Sequence, residues 1–204
     1  YLFLIRLAKL FGRKVILLGN GVGPIDSRFN RFVTGWAVNK ADMITVRDEH
    51  SKNVLLYCGV KKHVYVFADF CFTLKKGNKR RGEEILKSKG IDAGGKKLIG
   101  VVIRHWSSDL RKKVVSLVKE LKAGGNKLVF ILFHIPEDID EINKIRKLFG
   151  YEDHILRDYE TGELTDIFAA FDEVVGMRYH SILLAAINNV PFTAVAYDKK
   201  VDSL

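Results

Sequence analysis

The sequence predicts an α/β protein built on parallel sheets. Short apolar runs typical of strands alternate along the chain with segments of helical periodicity. No Asn-Gly or Asp-Gly two-residue turn joins two of these runs, so crossover connections are expected rather than hairpins. Several runs are apolar without alternation, as in parallel strands that are buried on both faces.

The individual elements follow from local patterns. The opening stretch, with Arg6 and Lys9 among apolar residues, predicts an amphipathic helix. The clearest helix follows Ser107, because apolar residues then recur at helical spacing and Gly124 supplies a stop signal. Strands are predicted at residues 14–18, 43–46, 64–67, 98–103, 128–133, 173–175 and 192–196, with a weaker candidate near residue 154.

Glycine and charged residues replace the hydrophobic rhythm between residues 75 and 97. This change indicates a domain boundary near residue 76. The basic residues of the 75–81 stretch are interpreted as a solvated linker, because no aromatic residues interleave with them as in a nucleic-acid site. The chain begins without Met and ends soon after a strand-like run, which favours a piece of a longer protein.

The composition narrows the class of protein. The chain has 34 Lys and Arg against 24 Asp and Glu, a formal charge of +10, which suits an anionic substrate, a nucleic acid or an acidic membrane surface. No apolar run approaches the roughly 20 residues that span a bilayer. Cys58 and Cys71 form no C-x-x-C motif, and no metal-binding motif is present. We therefore expect a protein of the reducing cytosol that uses no metal or other cofactor.

Polar residues follow the predicted strands, at the positions where ligands bind to open parallel sheets. Several are cationic, so we expect a ligand with two or three negative charges. The loop "GNGVGP" does not match G-x-G-x-x-G and is interpreted as a tight strand exit rather than a phosphate loop. The polar strand ends are Gly19-Asn20, Arg47-Asp48, Asp69, Arg104-His105, His134, Arg178-Tyr179-His180 and Tyr197-Asp198.

The segment "GMRYHS" is the most informative of these strand ends. Gly176 permits an unusual backbone, the guanidinium of Arg178 can bind phosphate or carboxylate with two parallel bonds, and His180 is available as a general acid or base. Arg104 ends an apolar strand and needs an anion or water, which favours a functional role. Arg47 and Asp48 are interpreted equally well as an exposed pair at a helix start.

The segment "VVGMRYHSILLAAINNVPFTAVAYDKKV" (174–201) resembles the G-M-R-x-H-S turn, proline-led strand and Y-D-x-K-V of the polysaccharide pyruvyl transferase family, which includes CsaB-like enzymes. Supporting similarity lies in "VILLGNGVGPI" (15–25), "ITVRDEHS" (44–51), "VFADFCFTL" (66–74) and "GVVIRHW" (100–106). Phe70 departs from the family pattern, in which the aspartate is commonly followed by proline.

The resemblance implies a GT-B-like fold in which two Rossmann-like parallel-sheet domains face a cleft. Residues 1–76 would be the C-terminal part of an incomplete amino-terminal domain, residues 77–97 a linker and first helix, and residues 98–204 the C-terminal domain. It also implies a cytoplasmic enzyme, working at the inner face of the membrane. That enzyme would transfer the pyruvyl group of phosphoenolpyruvate to two hydroxyls of a lipid-linked N-acetylhexosamine, forming a cyclic ketal.

The same resemblance implies a role for each site residue. Arg47, Arg104 and Arg178 would hold the phosphate and carboxylate of phosphoenolpyruvate, and His180 would protonate its methylene carbon. A carboxylate, from Asp48 or Asp69, would position or deprotonate a sugar hydroxyl. Further substrate contacts are expected from Gly19, Asn20, Tyr197 and Asp198.

Two other functions remain open at the level of sequence. A GT-B glycosyltransferase would use the same arginines for the diphosphate of a nucleotide sugar. A non-catalytic module would bind an anion or a sugar, although binding alone has little need of an imidazole beside Arg178. Nucleic-acid binding is not expected, and the sequence does not determine the oligomeric state.

Overall fold

The computed structural model describes residues 1–104, 108–134, 137–148 and 154–195. The chain divides into two compact units, Tyr1–Phe72 and Thr73–Leu204, close to the boundary expected near residue 76. Within these residues each unit contains one sheet, and every strand pair is parallel. The predicted α/β class with parallel sheets is therefore confirmed. Among the described helices, none has the length and apolar content needed to cross a membrane.

The first unit alternates helices with strands. Its strands pair in the order β1-β2-β3, and the central strand β2 has the bounds predicted from sequence. The core lies against this sheet and includes Ile5, Val38, Ile44 and Leu55. The elements are α1 (Leu2–Leu10), β1 (Ile16–Asn20), α2 (Arg28–Val38), β2 (Met43–Val46), α3 (Glu49–Tyr57) and β3 (Tyr65–Val66).

Strand β1 lies two residues further along the chain than the sequence pattern indicates, at Ile16–Asn20 instead of 14–18. It was expected to end at Leu18, but it continues through Gly19, which has a left-handed φ of 59°, to Asn20. The register shifts between Leu17 and Asn20, and the N–H of Gly19 donates to the hydroxyl of Thr45 at 2.7 Å. Glycine adopts this backbone conformation without a Cβ penalty, so the strand passes the irregularity and resumes pairing.

The second unit has the strand order β6-β5-β4-β7-β8. Apolar clusters pack against its strands, and β4 is buried along its whole length. The segment expected near residue 154 is strand β6. The elements are α4 (Lys79–Ser88), β4 (Leu98–Val102), α5 (Ser108–Ala123), β5 (Lys127–Ile131), α6 (Glu137–Lys147), β6 (His154–Leu156), α7 (Leu164–Ala169), β7 (Glu173–Gly176), α8 (Tyr179–Ile187) and β8 (Phe192–Ala194).

Part of the basic stretch interpreted as linker is helical. Asn78 caps α4 by accepting the N–H of Arg81, whose guanidinium lies 3.2 Å from the carboxylate of Asp166. Helix α4 packs closely on α7, because a Cβ at Gly82 would lie 1.9 Å from the carbonyl oxygen of Asp166. The charged composition of α4 conceals this packing, since Gly82 and Leu86 are its buried residues.

Candidate active site

The carboxyl edge of the first sheet brings five predicted site residues together. Arg47 follows β2, and its N–H donates to the carbonyl of Asn20 at 3.4 Å. Its guanidinium lies 3.3 Å from Asp48 and 3.5 Å from Asp69. A Cβ on the residue at position 21 would come 2.6 Å from the guanidinium, so Gly21 leaves the space that Arg47 occupies. Gly19 lies in the same strand exit. Gly21 was not among the predicted site residues, although it is the second glycine of "GNG".

Asp48 lies at the start of helix α3, where the alternative interpretation placed the Arg47–Asp48 pair. The pair is not exposed as that interpretation expected, because the two side chains are only 13% and 15% exposed. The carboxylate of Asp48 accepts the N–H of Ser51 at 2.6 Å and begins α3. Partial burial acts to raise the pKa of Asp48, but hydrogen bonds from Ser51 and Arg47 outweigh it and lower the pKa below the ordinary value. The carboxylate is therefore held in its anionic form by these contacts. Its predicted role toward a sugar hydroxyl stays a prediction.

Asp69 is almost fully buried beside Arg47. It accepts the backbone N–H of Cys71 at 2.9 Å. Burial and the neighbouring carboxylate of Asp69 together raise the pKa of the Cys71 thiol to about 11. Phe70, the departure from the family pattern, packs against Gly19, where a Cβ would lie 2.5 Å from its ring. The ring thus uses the space that the glycine leaves.

The second sheet has a topological switch between β4 and β7. From β4 the chain moves outward through β5 and β6, and then returns to the other side of β4 with β7. The crevice beyond the carboxyl ends of two such strands is the usual ligand site of open α/β sheets. Arg104 follows β4 and Arg178 follows β7. The fold therefore places these two arginines, both predicted to bind phosphoenolpyruvate, at the ends of adjacent strands.

Arg178 binds a protein carboxylate. Its Nε lies 3.1 Å from Oδ2 of Asp138 and its Nη2 lies 2.5 Å from Oδ1, a geometry with two parallel bonds. Asp138 is fully buried, and it also accepts the backbone N–H groups of Phe133 and His134 at 3.2 and 2.9 Å. Asp138 therefore links the loop after β5 to Arg178, which occupies the N-cap position of α8.

This ion pair changes the sequence-based prediction for Arg178. Both nitrogens of one edge of its guanidinium are engaged by Asp138, so that edge does not offer a ligand two parallel bonds. The Nη1 amino group lies on the other side of the fork and can still donate to an anion. Asp138 itself was missed. The available signal was an acidic residue near the start of the helix that follows the strand at 128–133.

Tyr159 lies beside the Asp138–Arg178 pair. Its hydroxyl donates to the carbonyl oxygen of Leu132, at the end of β5. Burial and the negative charge of Asp138 raise the pKa of Tyr159, and the positive charge of Arg178 opposes this effect. The phenol stays protonated, which maintains its hydrogen bond to the strand end.

His180 occupies the first turn of α8 and its side chain is exposed. Its ring lies edge-on to that of Tyr179, with 5.6 Å between the centroids. The carbonyl oxygen of Arg178 accepts both the N–H and the hydroxyl of Ser181, at 3.0 and 2.6 Å. The imidazole is thus displayed on a well-anchored turn, near a helix N-terminus that favours anions. Its role as the acid stays a prediction.

The sequence-based reason for Gly176 was wrong. We expected an unusual backbone there, but Gly176 ends β7 without a left-handed φ. A Cβ would instead lie 2.4 Å from the hydroxyl of Ser181. Glycine at this position therefore allows the turn to close against α8. Of the other predicted site residues, Tyr197 and Asp198 lie outside the described residues, as does His105.

Two solved structures with a similar fold contain a bound sugar nucleotide, and a third is a glycosyltransferase. The chain is similar to HepE from Anabaena in complex with UDP-glucose, with 16% identity and a TM-score of 0.66 over 93% of this chain and 55% of that chain. It is also similar to UDP-GlcNAc 2-epimerase from Neisseria meningitidis bound to UDP-GlcNAc, with 14% identity and a TM-score of 0.65 over 99% and 59%. A third similar structure is a glycosyltransferase from Rickettsia africae, with 10% identity and a TM-score of 0.60 over 94% of this chain and 60% of that chain.

These similarities define the fold class. At such low identity they show the fold alone, and they confirm the GT-B-like α/β fold predicted for the chain. The chain spans somewhat more than half the length of the structures it matches. A family model described as polysaccharide pyruvyl transferase matches residues 1–199, and the chain belongs to that family. No curated protein matches the chain.

Proposed function

We propose that the protein transfers the pyruvyl group of phosphoenolpyruvate to a sugar of a cell-wall polysaccharide precursor, forming a cyclic ketal. The observation that carries the proposal is the family match over residues 1–199, which includes the Arg178–His180 turn at the switch point of the second sheet. The acceptor is proposed to be a lipid-linked N-acetylhexosamine. The enzyme would then work in the cytoplasm, at the inner face of the membrane.

The donor explains why arginines recur at the strand ends. Phosphoenolpyruvate carries a phosphate and a carboxylate, and the proposal assigns Arg47, Arg104 and Arg178 to these groups. For Arg178 the contact would use Nη1, because Asp138 occupies the opposite edge of the guanidinium. Asp138 then acts as a positioning residue, since it orients the guanidinium without touching the donor.

The chemistry starts with protonation of the methylene carbon by His180. This step makes the adjacent carbon electrophilic, and a sugar hydroxyl attacks it and loses its proton to a base. The phosphate leaves with its bridging oxygen, and the second hydroxyl attacks the same carbon to close the ring. The second hydroxyl loses its proton as it attacks, and the departed phosphate takes up one proton. The products are therefore the ketal and inorganic phosphate. Asp48 and Asp69 are the proposed bases.

The test uses the full-length protein with phosphoenolpyruvate and lipid-linked N-acetylhexosamine acceptors. We expect release of inorganic phosphate together with an acceptor whose mass has increased by a pyruvyl ketal. The variant His180→Gln should release little phosphate, whereas His63→Gln, at another exposed histidine, should behave as wild type. Phosphate release without an acceptor adduct would contradict the proposed reaction.

A nucleotide-sugar glycosyltransferase is the second candidate, and one observation favours it. The similar structures from Anabaena and Neisseria meningitidis contain UDP-glucose and UDP-GlcNAc. Ligand-dependent stabilisation separates the two functions, since a ligand raises the melting temperature of the protein that binds it. Phosphoenolpyruvate should raise the melting temperature under the first proposal, and UDP should raise it under the second.

A further inference from the structure

The outer face of α2 carries a stripe of exposed aromatic side chains. Phe29, Phe32 and Trp36 are 72%, 68% and 49% exposed. Their spacing of three and four residues places them on one side of the helix. Thr34 and Val38 of the same helix are buried. The stripe therefore lies opposite the side that packs in the core of the described unit.

Helix α1 continues this surface. Its residues Phe3 and Leu10 are exposed, whereas Ile5 packs in the core. Arg6 joins the two helices, because its guanidinium lies 3.8 Å from the ring centroid of Trp36. We call this surface the α1–α2 face and define it by Phe3, Arg6, Leu10, Phe29, Phe32 and Trp36. Large apolar surfaces rimmed by charge mark interaction sites rather than ordinary solvent-exposed protein.

Two arginines of α1 and α2, Arg6 and Arg31, make cation–π contacts with aromatic rings. Arg31 donates to the hydroxyl of Tyr57 at 2.7 Å and lies over its ring, as Arg6 does over Trp36. Nη1 of Arg6 is buried and has no hydrogen-bond acceptor within the described part of the chain. Cation–π contacts fix these guanidinium groups but leave their positive charge in place.

The local charge is strongly positive. Residues 1–41 contain a single acidic residue, Asp26, against seven basic residues. Among these seven basic residues, the described part of the chain shows a carboxylate partner for Lys9 alone, which lies 3.0 Å from Asp42. A surface with exposed aromatic groups and uncompensated cations matches the anionic interface of a phospholipid bilayer. The seven are Arg6, Lys9, Arg13, Lys14, Arg28, Arg31 and Lys40.

We propose that the α1–α2 face docks on an anionic phospholipid surface. The aromatic stripe of α2, with Phe3 and Leu10, enters the boundary between head groups and acyl chains, while the surrounding cations contact lipid phosphates. The inference extends the proposed membrane contact of the enzyme by assigning the surface that makes it. It is tested by lipid binding alone, so it stands or fails separately from pyruvyl transfer.

A single-stranded nucleic acid fits the α1–α2 face less well. Bases stack on accessible aromatic faces, but Arg6 covers the ring of Trp36 and Arg31 covers that of Tyr57. Leu10 offers an aliphatic group that base stacking does not use, whereas a bilayer accepts it. The exposed side chains also project from helix surfaces in the manner of an interfacial amphipathic helix.

The experiment is co-sedimentation of the full-length protein with phosphatidylcholine vesicles, prepared with and without phosphatidylglycerol. The variant Phe29→Ser/Phe32→Ser should reduce the partition coefficient at least about tenfold, because each ring loses its apolar burial in the bilayer. Arg28→Gln and Lys40→Gln should each reduce it about fivefold, as expected near 1 kcal/mol per basic residue. Leu148→Ser and Lys119→Gln, which change exposed residues on the second unit, serve as matched controls with wild-type binding.

The outcomes separate the alternatives. Binding that requires phosphatidylglycerol and is lost only in the face variants supports the proposal, whether or not the protein transfers pyruvate. Equal binding to neutral and anionic vesicles, or wild-type binding by Phe29→Ser/Phe32→Ser, would overturn it. A dimer that dissociates in the face variants, without vesicle binding, would assign the face to a second copy. Oligonucleotide binding with the same pattern would assign it to nucleic acid, and either result overturns the proposal.

Discussion

Replacing Asp138 with asparagine should lower the free energy of unfolding by about 3 kcal/mol. The carboxylate is fully buried and accepts bonds from Arg178, Phe133 and His134. An asparagine oxygen can retain the backbone N–H groups, but its amino group would then face Nη2 of Arg178. Removing one partner of a buried ion pair costs about 3–5 kcal/mol. The side chain of Arg178 is 23% exposed, so water offsets part of that cost, which favours the lower end of the range.

Urea denaturation of the full-length protein measures this loss. Asp140→Asn is the matched control, because Asp140 lies two residues further along α6 and is exposed. A double-mutant cycle with Arg178→Met should give a coupling energy above about 1 kcal/mol, as for residues in direct contact. An unfolding midpoint equal to that of Asp140→Asn, or a coupling energy near zero, would refute the assigned ion pair.

Three further predictions concern the reaction, packing and thiol chemistry. His180→Gln should retain phosphoenolpyruvate affinity in calorimetry but lower turnover by about 10²- to 10⁴-fold, whereas intact turnover would exclude an acid role. Gly82→Ala should destabilise the protein by at least about 2 kcal/mol in urea denaturation, because its Cβ would lie 1.9 Å from the backbone oxygen of Asp166. Gly162→Ala is the control and should leave the stability unchanged, because a Cβ at Gly162 would meet open space. Cys71, whose pKa is raised to about 11, should react slowly with iodoacetamide at pH 8 and faster as the pH rises. Asp69→Asn should increase the rate of this reaction at pH 8, because it removes the neighbouring negative charge. An unchanged rate would argue against the contact between Asp69 and Cys71.

Most of the strands could be predicted from local patterns. The apolar runs at 43–46, 98–103 and 173–175 are strands within a few residues of their predicted bounds. Buried parallel strands need uninterrupted apolar residues, so the pattern itself records their environment. Strand β1 was predicted two residues too early in the chain, because the register shift at Gly19 depends on a hydrogen bond to Thr45 in a neighbouring strand.

The candidate site was predictable in position but only partly in its contacts. Ligand-binding residues follow strands in open parallel sheets, so Arg47, Arg104 and Arg178 could be selected from the sequence. The partner of Arg178 could not, since Asp138 lies 40 residues away along the chain and belongs to another strand–helix connection. The motif alone therefore suggested a guanidinium that binds a ligand, rather than a protein carboxylate, with two parallel bonds.

The sequence by itself determined the α/β class, the family and the strand ends that carry polar residues, because hydrophobic periodicity and short motifs are local properties. Tertiary structure decided the strand order that makes β4 and β7 neighbours, and with it the switch point beside Arg104 and Arg178. It also decided that Asp138 holds Arg178 and that Gly21 makes room for Arg47. These contacts join residues that are distant along the chain, and their energies depend on burial and distance that arise only when the chain is folded.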